Sequence, residues 1–492
     1  MVRKTISIWL VFMMGVAYCN AQVKESAQPN IVFIYADDLG YAEVGSYGQQ
    51  KIRTPNIDKL AVDGIRFTQQ YSSSPVCAPS RCMMLTGKHA GHAYVRSNYG
   101  KGGFTDDTEL GQFPLPENAF TIGHLFQNAG YVTGAIGKWG LGMANNSGSP
   151  LKQGFDYFYG YLDQKQAHNY YPTHLWENDK WDTLPNVFFD VHEKLDPSKA
   201  TDKDFERFFG KEYSVTKMAE KAVSFIERNK DNKFFLYIPF TIPHVALQAP
   251  QEFIDQYVGE FKEKPYYGQN NYAPSKYPLS TYAAMITYMD YQVGVLMDEL
   301  KRLGLEENTL VIFSSDNGTT FNGGVNAAFF NSTGGLRGLK ADVFEGGIRV
   351  PFIAKWPGRI KEGTVSDLPI VQYDLMATFA ELTKQKVKNT DGVSFLPELL
   401  GNHAAQKGRD FIYFEFPAKG GQVAVRMGDW KAVRIGVKNT FETPWMLFNL
   451  AADREEKQDV SALHPDLIKK AEKIFRSQHE SPQLKEWEMV MP

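Results

Sequence analysis

Between about residue 30 and residue 385, short apolar runs alternate with longer segments in which apolar positions recur at helical spacing. The short runs predict buried strands at residues 31–35, 131–136, 234–238, 310–314 and 352–354. The longer segments predict helices at residues 55–62, 119–128, 215–229, 282–303 and 374–382. Strands that alternate with amphipathic helices are typical of a mostly parallel sheet with helices on both faces. We therefore predict an α/β fold for this part of the chain.

Beyond residue 385 the pattern changes to shorter apolar runs separated by tight turns. These runs predict antiparallel strands followed by an amphipathic helix, at residues 411–415, 423–426, 430–434 and 466–478. We interpret residues 386–492 as a smaller C-terminal α/β subdomain beside a larger domain of residues 22–385. The segment 266–279, rich in Tyr, Asn and Pro, predicts a loop that leaves the main body of the fold.

Polar side chains follow four of the predicted strands at the point where each strand ends. They are Asp37 and Asp38 after the first strand, Lys138 after the second, His244 after the third, and Asp316 and Asn317 after the fourth. Ligands of open α/β sheets bind outside the carboxyl ends of the strands. We therefore expect these side chains, which are far apart in sequence, to share one pocket.

The N-terminal segment has the pattern of an export signal. Two basic residues precede an apolar stretch at residues 6–17 that is too short to span a membrane. The small residue Ala21 favours cleavage directly after it, so we interpret residues 1–21 as a signal peptide. Lipid attachment at Cys19 is the alternative, and Tyr18 argues against it because lipoprotein signals carry a small residue there. No later segment is long and apolar enough to span a bilayer, so we predict a periplasmic or secreted protein.

Charge and cysteine content narrow the classes of function. The 492-residue chain has a formal net charge of −3, which gives no overall electrostatic basis for binding nucleic acid. Its 25 Tyr and 8 Trp residues are compatible with carbohydrate recognition, although aromatic residues more often fill the core. Without the N-terminal segment only Cys77 and Cys82 remain, and a disulfide between such close positions has doubtful geometry. An exported protein without disulfides is more typical of a bacterial periplasm than of a eukaryotic lumen.

The most specific motif of the chain surrounds Cys77. Residues 77–81 read Cys-Ala-Pro-Ser-Arg, and residues 85–87 read Leu-Thr-Gly. A lone cysteine beside a turn proline is ordinarily a small buried hydrophobe, but the complete pattern resembles the signature of the type I sulfatases. This resemblance implies the fold of the alkaline phosphatase superfamily. It also implies that a dedicated machinery oxidises Cys77 to formylglycine, whose hydrated aldehyde supplies the nucleophilic oxygen.

The paired polar residues at the first and fourth strand ends indicate a metal site. Adjacent carboxylates such as Asp37 and Asp38 repel each other, and a buried pair needs a cation. Asp316 and Asn317 add a second oxygen pair, although either pair taken alone would also fit an ordinary turn. Three carboxylates and an amide oxygen favour a hard cation, Ca²⁺ or Mg²⁺. The sulfatase resemblance favours Ca²⁺ and includes the modified Cys77 among its ligands.

The resemblance also assigns roles to four basic side chains. Arg81 is expected to hold the formylglycine, and Lys138 and Lys340 are expected to grip the sulfate oxygens. His244 is expected to protonate the departing alkoxide. Taken alone, these residues would be explained by a surface salt bridge, solvated lysines and a core histidine. The stretch 345–351, Glu-Gly-Gly-Ile-Arg-Val-Pro, is the second most specific match to the family.

One position departs from the family pattern. Sulfatases usually read Gly-Lys-Trp-His around the first lysine, and that histidine contacts the formylglycine. Here the corresponding residue is Gly140. His168, in the run Gln-Ala-His-Asn-Tyr-Tyr-Pro, is our candidate for its replacement, and a role as a substrate contact is the alternative.

These patterns together predict a calcium-dependent sulfate ester hydrolase whose catalytic domain spans residues 22–385. The resemblance to bacterial sulfatases implies sulfated glycans of galactose or N-acetylgalactosamine type as substrates, and the expected products are an alcohol and inorganic sulfate. The expected partners are this carbohydrate and the formylglycine-generating machinery, with no nucleic acid. Two alternatives stay open: a phosphonate or phosphate monoester hydrolase with the same nucleophile, and an inactive glycan-binding relative in which Cys77 stays a thiol.

Overall fold

The computed structural model describes residues 28–100, 104–105, 108–440 and 442–491. The predicted signal peptide, residues 1–21, lies outside these described residues. Among the helices described, none has both the length and the apolar character needed to cross a membrane.

Strands of at least three residues are numbered in chain order. They are β1 (Asn30–Ala36), β2 (Ile65–Phe67), β3 (Val132–Lys138), β4 (Tyr157–Tyr161), β5 (His174–Glu177), β6 (Lys180–Thr183), β7 (Phe234–Pro239), β8 (Thr309–Ser315), β9 (Phe352–Lys355), β10 (Thr364–Ser366), β11 (Ile412–Phe416), β12 (Gln422–Met427), β13 (Trp430–Ile435) and β14 (Met446–Asn449). Two-residue strands pair Gln70–Tyr71 with Ile370–Val371 and Phe104–Thr105 with Thr108–Glu109.

Helices of at least seven residues are numbered in the same way. They are α1 (Pro55–Val62), α2 (Cys77–Thr86), α3 (Ile122–Asn128), α4 (Ser214–Arg228), α5 (Pro278–Arg302), α6 (Asp374–Leu382) and α7 (Pro465–Gln478). Shorter α-helices lie at Asp202–Glu206, Gln251–Ile254, Ala327–Phe330, Glu345–Ile348 and Leu396–Leu399. The helix predicted from residue 119 begins later, because the Thr121 side chain caps it by accepting the backbone N–H of His124.

Ten strands form one mixed sheet in the order β10-β2-β9-β8-β1-β7-β3-β4-β5-β6. The central strands β8, β1, β7 and β3 run parallel, as predicted, and β4, which was not predicted, extends the parallel part. The strand predicted at residues 352–354 differs, because β9 runs antiparallel to β8. Their connection carries only the four-residue helices Ala327–Phe330 and Glu345–Ile348, and a parallel crossover needs a longer element. The chain therefore re-enters the sheet from the edge at which β8 ended.

Both faces of the sheet are covered, which explains why its central strands are continuous apolar runs. On β1, Val32 and Ile34 belong to the core on the face of α1, α4 and α5. The alternating residues Ile31 and Phe33 belong to the core on the face of α2, α3 and α6. The predicted arrangement, with helices on both faces of a large sheet, is confirmed.

A four-stranded antiparallel sheet, in the order β11-β12-β13-β14, forms the C-terminal part of the chain. Helix α7 packs one of its faces, as the sequence predicts. From β13, the buried Lys431 Nζ reaches Glu345 Oε1 and Glu456 Oε1, each at 2.9 Å. This ion pair joins the small sheet to the segment that carries Lys340. The boundary at residue 385 stays a prediction.

Candidate active site

The four polar strand ends meet at one edge of the large sheet. Strands β8, β1, β7 and β3 are neighbours, and the register pairs Ala36 with Ser315. Asp37 and Asp316 therefore leave the sheet side by side. Backbone hydrogen bonds continue past the strands, from Asp316 N to Ala36 O and from Asp37 N to Ile242 O, both at 3.1 Å. Side chains that are far apart in sequence therefore lie together at this edge.

Cys77 begins helix α2 and is fully buried. Val76, in an extended conformation, is its N-cap. The thiol donates to Asp37 Oδ1 at 3.3 Å and accepts from Lys340 Nζ at 3.4 Å. Burial, and then the charge of Asp37, raise the pKa of this thiol well above its ordinary value. Reactive cysteines lie in electropositive, partly exposed surroundings, so Cys77 is poorly suited to act as a thiolate.

Arg81 lies one turn along α2 and ties the helix to the strand ends. Its Nε and Nη2 atoms donate to Asp316 Oδ2 at 3.1 and 2.8 Å, and Nη2 lies 3.3 Å from Asp37 Oδ2. Its Nη1 donates to the backbone oxygen of Lys138 at 2.5 Å. A planar guanidinium held at all three nitrogens has little freedom to move. The first turn of α2 is thereby fixed against β1, β3 and β8.

Two lysines, the buried Lys138 and the half-buried Lys340, neutralise the adjacent carboxylates. Lys138 Nζ lies 2.6 Å from Asp37 Oδ2, and Lys340 Nζ lies 2.7 Å from Asp38 Oδ1. Burial by itself raises the pKa of Asp37, but nearby cations, Lys138 foremost, outweigh it and hold that pKa well below its usual range. Burial raises the pKa of Asp38 and of Asp316, and the charge of Asp37 adds to this effect. Lysine ammonium groups and aspartate carboxylates therefore alternate in the site, within a few ångströms of one another.

The oxygen atoms of the site fit a hard cation. Asn317 donates through Nδ2 to Asp38 Oδ1 at 2.7 Å, while its buried Oδ1 has no hydrogen-bond partner among the described residues. A buried carbonyl oxygen left unpaired is costly unless something else binds it. Ligand atoms of Asp37, Asp38, Cys77 and His244 all lie within 4.8 Å of one another. Asp37, Asp38 and the free oxygen of Asn317 are therefore suited to Ca²⁺.

Compared with the predicted ligand set, this group of four residues lacks Asp316 and Asn317 and includes His244. Asp316 uses Oδ2 for Arg81, and its Oδ1 accepts the backbone N–H of Asp38 at 3.1 Å. His244 lies close to the carboxylates, but Ca²⁺ takes oxygen ligands in preference to imidazole. We keep Asp316 as a predicted ligand and leave His244 for proton transfer.

His244 and His168 form a flat stack beside the carboxylates, with ring centroids 5.1 Å apart and planes 6° from parallel. His244 Nε2 lies 3.7 Å from Asp38 Oδ2, and its Nδ1 donates to the backbone oxygen of Val245 at 2.5 Å. The buried Nδ1 of His168 has no hydrogen-bond partner in the described part of the chain. Burial, and then the charge of Lys340, lower the pKa of His244 well below its ordinary value.

The departure at position 140 has a structural counterpart. Gly140 has a φ of +72°, in the left-handed region that side chains other than glycine rarely adopt. A Cβ at this position would lie 3.1 Å from Oε1 of Gln164, whose side chain fills the adjacent space. The histidine usual at this position of the family pattern would therefore be strained in this backbone conformation, and Gln164 would have to move to admit it.

Glu43, which the sequence patterns do not single out, connects the loops that follow β1 and β8. Its Oε2 accepts the backbone N–H of Gly40 at 2.6 Å. Its Oε1 accepts the hydroxyls of Tyr282 at 2.7 Å and Thr319 at 3.2 Å. Burial raises the pKa of this carboxyl to about 7, even though the hydrogen bonds lower it.

We expect Glu43→Gln to change how stability depends on pH. The ionised Glu43 is disfavoured in the folded state, so the wild type loses stability as the pH rises from about 4.5 to about 7. A shift of this size corresponds to roughly 3 kcal/mol. Glutamine cannot ionise, so the variant should not lose this stability. The unfolding free energy of the variant minus that of the wild type should therefore increase as the pH rises across this window. Urea unfolding at both ends of the window measures it, and an unchanged difference would contradict the expectation.

The fold and the site together define a class of enzyme. Two lysines beside a carboxylate pair suit a tetrahedral oxyanion, since they offset charge on its oxygens. A metal-compatible oxygen cluster and a helix N-terminus face the same point. A hydrolase of sulfate or phosphate-type esters, built on an α/β sheet, fits this description.

Comparisons with known proteins identify the family. The profile of the family described as Sulfatase matches residues 29–385, and that described as N-sulphoglucosamine sulphohydrolase, C-terminal, matches residues 340–478. The chain therefore belongs to the sulfatase family of the alkaline phosphatase superfamily, and it is a sulfuric ester hydrolase. The resemblance read from residues 77–87 is confirmed.

Individual relatives cover nearly the whole chain. The N-acetylgalactosamine-6-O-sulfatase of Bacteroides thetaiotaomicron is 27% identical, over 96% of this chain and 99% of that protein. The steryl-sulfatase of Rattus norvegicus is 28% identical, over 88% of this chain and 85% of that protein. Among solved structures, Ps i-CgsB is 30% identical with a TM-score of 0.76, over 93% of this chain and 94% of that one. Ps i-CgsB has also been solved in complex with k-i-k-neocarrahexaose.

Proposed function

We propose that the protein removes sulfate from carbohydrate esters, with formylglycine at position 77 as nucleophile and Ca²⁺ as resident metal. The observation that carries this proposal is the setting of Cys77. A cysteine kept for packing has apolar neighbours, whereas this thiol contacts Asp37 and Lys340. A thiolate nucleophile needs a lowered pKa, whereas burial and Asp37 raise it here. Conversion to an aldehyde gives the residue a role that its charged neighbours support.

Each bound group would contribute one kind of chemistry. As formylglycine, residue 77 supplies a hydrated aldehyde, one hydroxyl of which attacks sulfur while the other later expels sulfate and restores the aldehyde. Ca²⁺ supplies positive charge that favours the ionised form of the attacking hydroxyl. Its proposed ligands are residue 77 with Asp37, Asp38, Asp316 and Asn317.

The remaining residues position the substrate and move a proton. Lys138 and Lys340 hold the sulfate oxygens and offset the charge that develops on them. Arg81 keeps residue 77 oriented through its contacts with the strand ends. His244 protonates the departing alkoxide. We assign His168 the part of the histidine missing at position 140, because it stacks on His244 and keeps an unengaged nitrogen among the described residues.

The proposed substrates are sulfated saccharides of galactose or N-acetylgalactosamine type. One relative is named for N-acetylgalactosamine-6-O-sulfate hydrolysis, and one structural neighbour has been solved with a neocarrahexaose. The predicted signal peptide would deliver the enzyme to the periplasm or the medium. A formylglycine-generating machinery is the partner that maturation requires.

Two measurements test this function on the purified protein. Mass spectrometry of the peptide that contains residue 77 should find the aldehyde, and a thiol in all molecules would contradict the proposed nucleophile. Turnover of an aryl sulfate should exceed turnover of the matching aryl phosphonate. The reverse order would favour the phosphonate monoester hydrolase alternative.

Removal of calcium should abolish activity and lower the unfolding temperature. A cation that binds only the folded state stabilises it by mass action, by about 2.7 kcal/mol at a hundredfold excess over Kd. Asp37→Ala should be inactive, and added Ca²⁺ should no longer raise its unfolding temperature. The readout is calcium-dependent thermal unfolding after chelation, with Mg²⁺ as the control ion. Full turnover by a metal-free preparation would show that the metal assignment is wrong.

A further inference from the structure

The loop between Gln251–Ile254 and α5 contains a tightly held tip, residues 266–275. Tyr266 and Ser275 exchange backbone hydrogen bonds of 2.8 and 2.9 Å, which close the base of this tip. The hydroxyl of Tyr266 accepts the N–H of Asn270 at 3.1 Å and donates to the backbone oxygen of Asn271. Gly323 N–H donates to Asn270 O at 3.3 Å. The tip is therefore pre-organised from both sides.

This tip holds Tyr272 in an unfavourable backbone conformation. Asn271 and Tyr272 have φ angles of +59° and +65°. Asparagine tolerates the left-handed region, but a bulky residue such as tyrosine is a true outlier there. Such outliers persist where the surrounding structure enforces them, and they concentrate at ligand sites. In this conformation the ring of Tyr272 lies beside that of His244.

The rings around Tyr272 lead from solvent to the catalytic histidine. The Tyr272 centroid lies 5.2 Å from His192, 5.1 Å from His168 and 5.8 Å from His244. His192 is exposed, Tyr272 and His168 are half-buried, and His244 is buried. We call His168, His192 and Tyr272 the ring wall. It stands beside the residue that would protonate the leaving oxygen.

We propose that the ring wall is the subsite that binds the sugar ring bearing the scissile sulfate. This inference rests on the proposed carbohydrate function. The leaving oxygen must lie near His244, so the sugar attached to it lies within one ring's width of Tyr272 and His168. The C–H face of a pyranose packs on aromatic faces, and a few polar atoms fix its orientation.

Truncation of the wall tests this inference. Tyr272→Ala should raise KM for k-i-k-neocarrahexaose or N-acetylgalactosamine 6-sulfate by about 5- to 30-fold, the usual effect of removing an aromatic anchor. Its turnover number on 4-nitrophenyl sulfate should change far less. His192→Ala should act in the same direction but more weakly, because His192 lies at the exposed rim. Tyr272→Phe retains the ring and should restore most of the affinity.

A product analogue separates sugar binding from sulfate chemistry. The desulfated saccharide should inhibit aryl sulfate hydrolysis, and its Ki should rise in Tyr272→Ala as KM does. The matched control is Tyr291→Ala, which removes an exposed tyrosine of α5 that packs against Phe253 and Tyr288. If Tyr272→Ala hydrolyses the saccharide with unchanged KM and Ki, the ring wall is not the sugar subsite, although the carbohydrate function stands. A wild-type enzyme that hydrolyses the aryl sulfate but neither saccharide would overturn both the wall and the carbohydrate function.

Discussion

A Cys77→Ala variant is expected to lose sulfate ester hydrolysis almost completely while keeping its fold. A methyl group can form neither an aldehyde nor its hydrate, so no attacking oxygen exists at position 77. Removal of a covalent nucleophile typically lowers turnover on the order of 10⁴–10⁶-fold. The fold should survive because the charged groups around the thiol are paired with each other and do not depend on it. Asp37 keeps Lys138 at 2.6 Å, and Lys340 keeps Asp38 at 2.7 Å.

The same helix offers a matched control. Cys82 is also free and buried, but it belongs to the apolar core on the face of α2. Cys82→Ala should therefore retain activity, at a modest loss of stability. Cys77→Ser should behave like Cys77→Ala unless the maturation machinery accepts serine. Initial rates on an aryl sulfate, with circular dichroism as the check on folding, measure these effects. Sulfate release by Cys77→Ala at the wild-type rate would refute the mechanism.

His244→Ala is expected to impair sugar sulfates much more than activated aryl sulfates. A sugar alkoxide leaves poorly without a proton, whereas a nitrophenolate is stable by itself. General acid catalysis typically contributes about 10²–10⁴-fold, so the saccharide reaction should fall by that order. Burial and Lys340 lower the pKa of His244, and a bound sulfate group opposes this with its negative charge. Comparison of kcat for one saccharide sulfate and one nitrophenyl sulfate gives the test.

His168→Ala in the same assay separates two roles. A residue that acts on the formylglycine hydrate should impair both substrates alike, whereas a pure sugar contact should spare the aryl sulfate. For His244→Ala, equal losses on both substrates would contradict the acid role. Because the two rings stack on each other, each variant removes the same packing contact and serves as the control for the other.

Much of the central sheet could be predicted because burial on both faces leaves a simple signal. The strands β1, β3, β7 and β8 appear in the sequence as continuous apolar runs, and their bounds agree within two residues. The sequence gives a weaker signal for β4 to β6 at the sheet edge, where aromatic and polar residues mix. The antiparallel direction of β9 was likewise out of reach, since it depends on where a long connection returns to the sheet.

The sequence by itself determined two things. The motif at residues 77–87 determined the family, and the apolar runs determined which polar residues stand at the strand ends. In a parallel sheet the carboxyl ends of adjacent strands lie at one edge, so residues that follow these strands come together whatever their distance in sequence. Glu43, Tyr272 and Gln164 carry no comparable signal, because their surroundings come from segments with no fixed spacing to the motif. Only the tertiary structure, which packs the 266–275 tip and the loops after β1 and β8 together, decided which side chains surround residue 77.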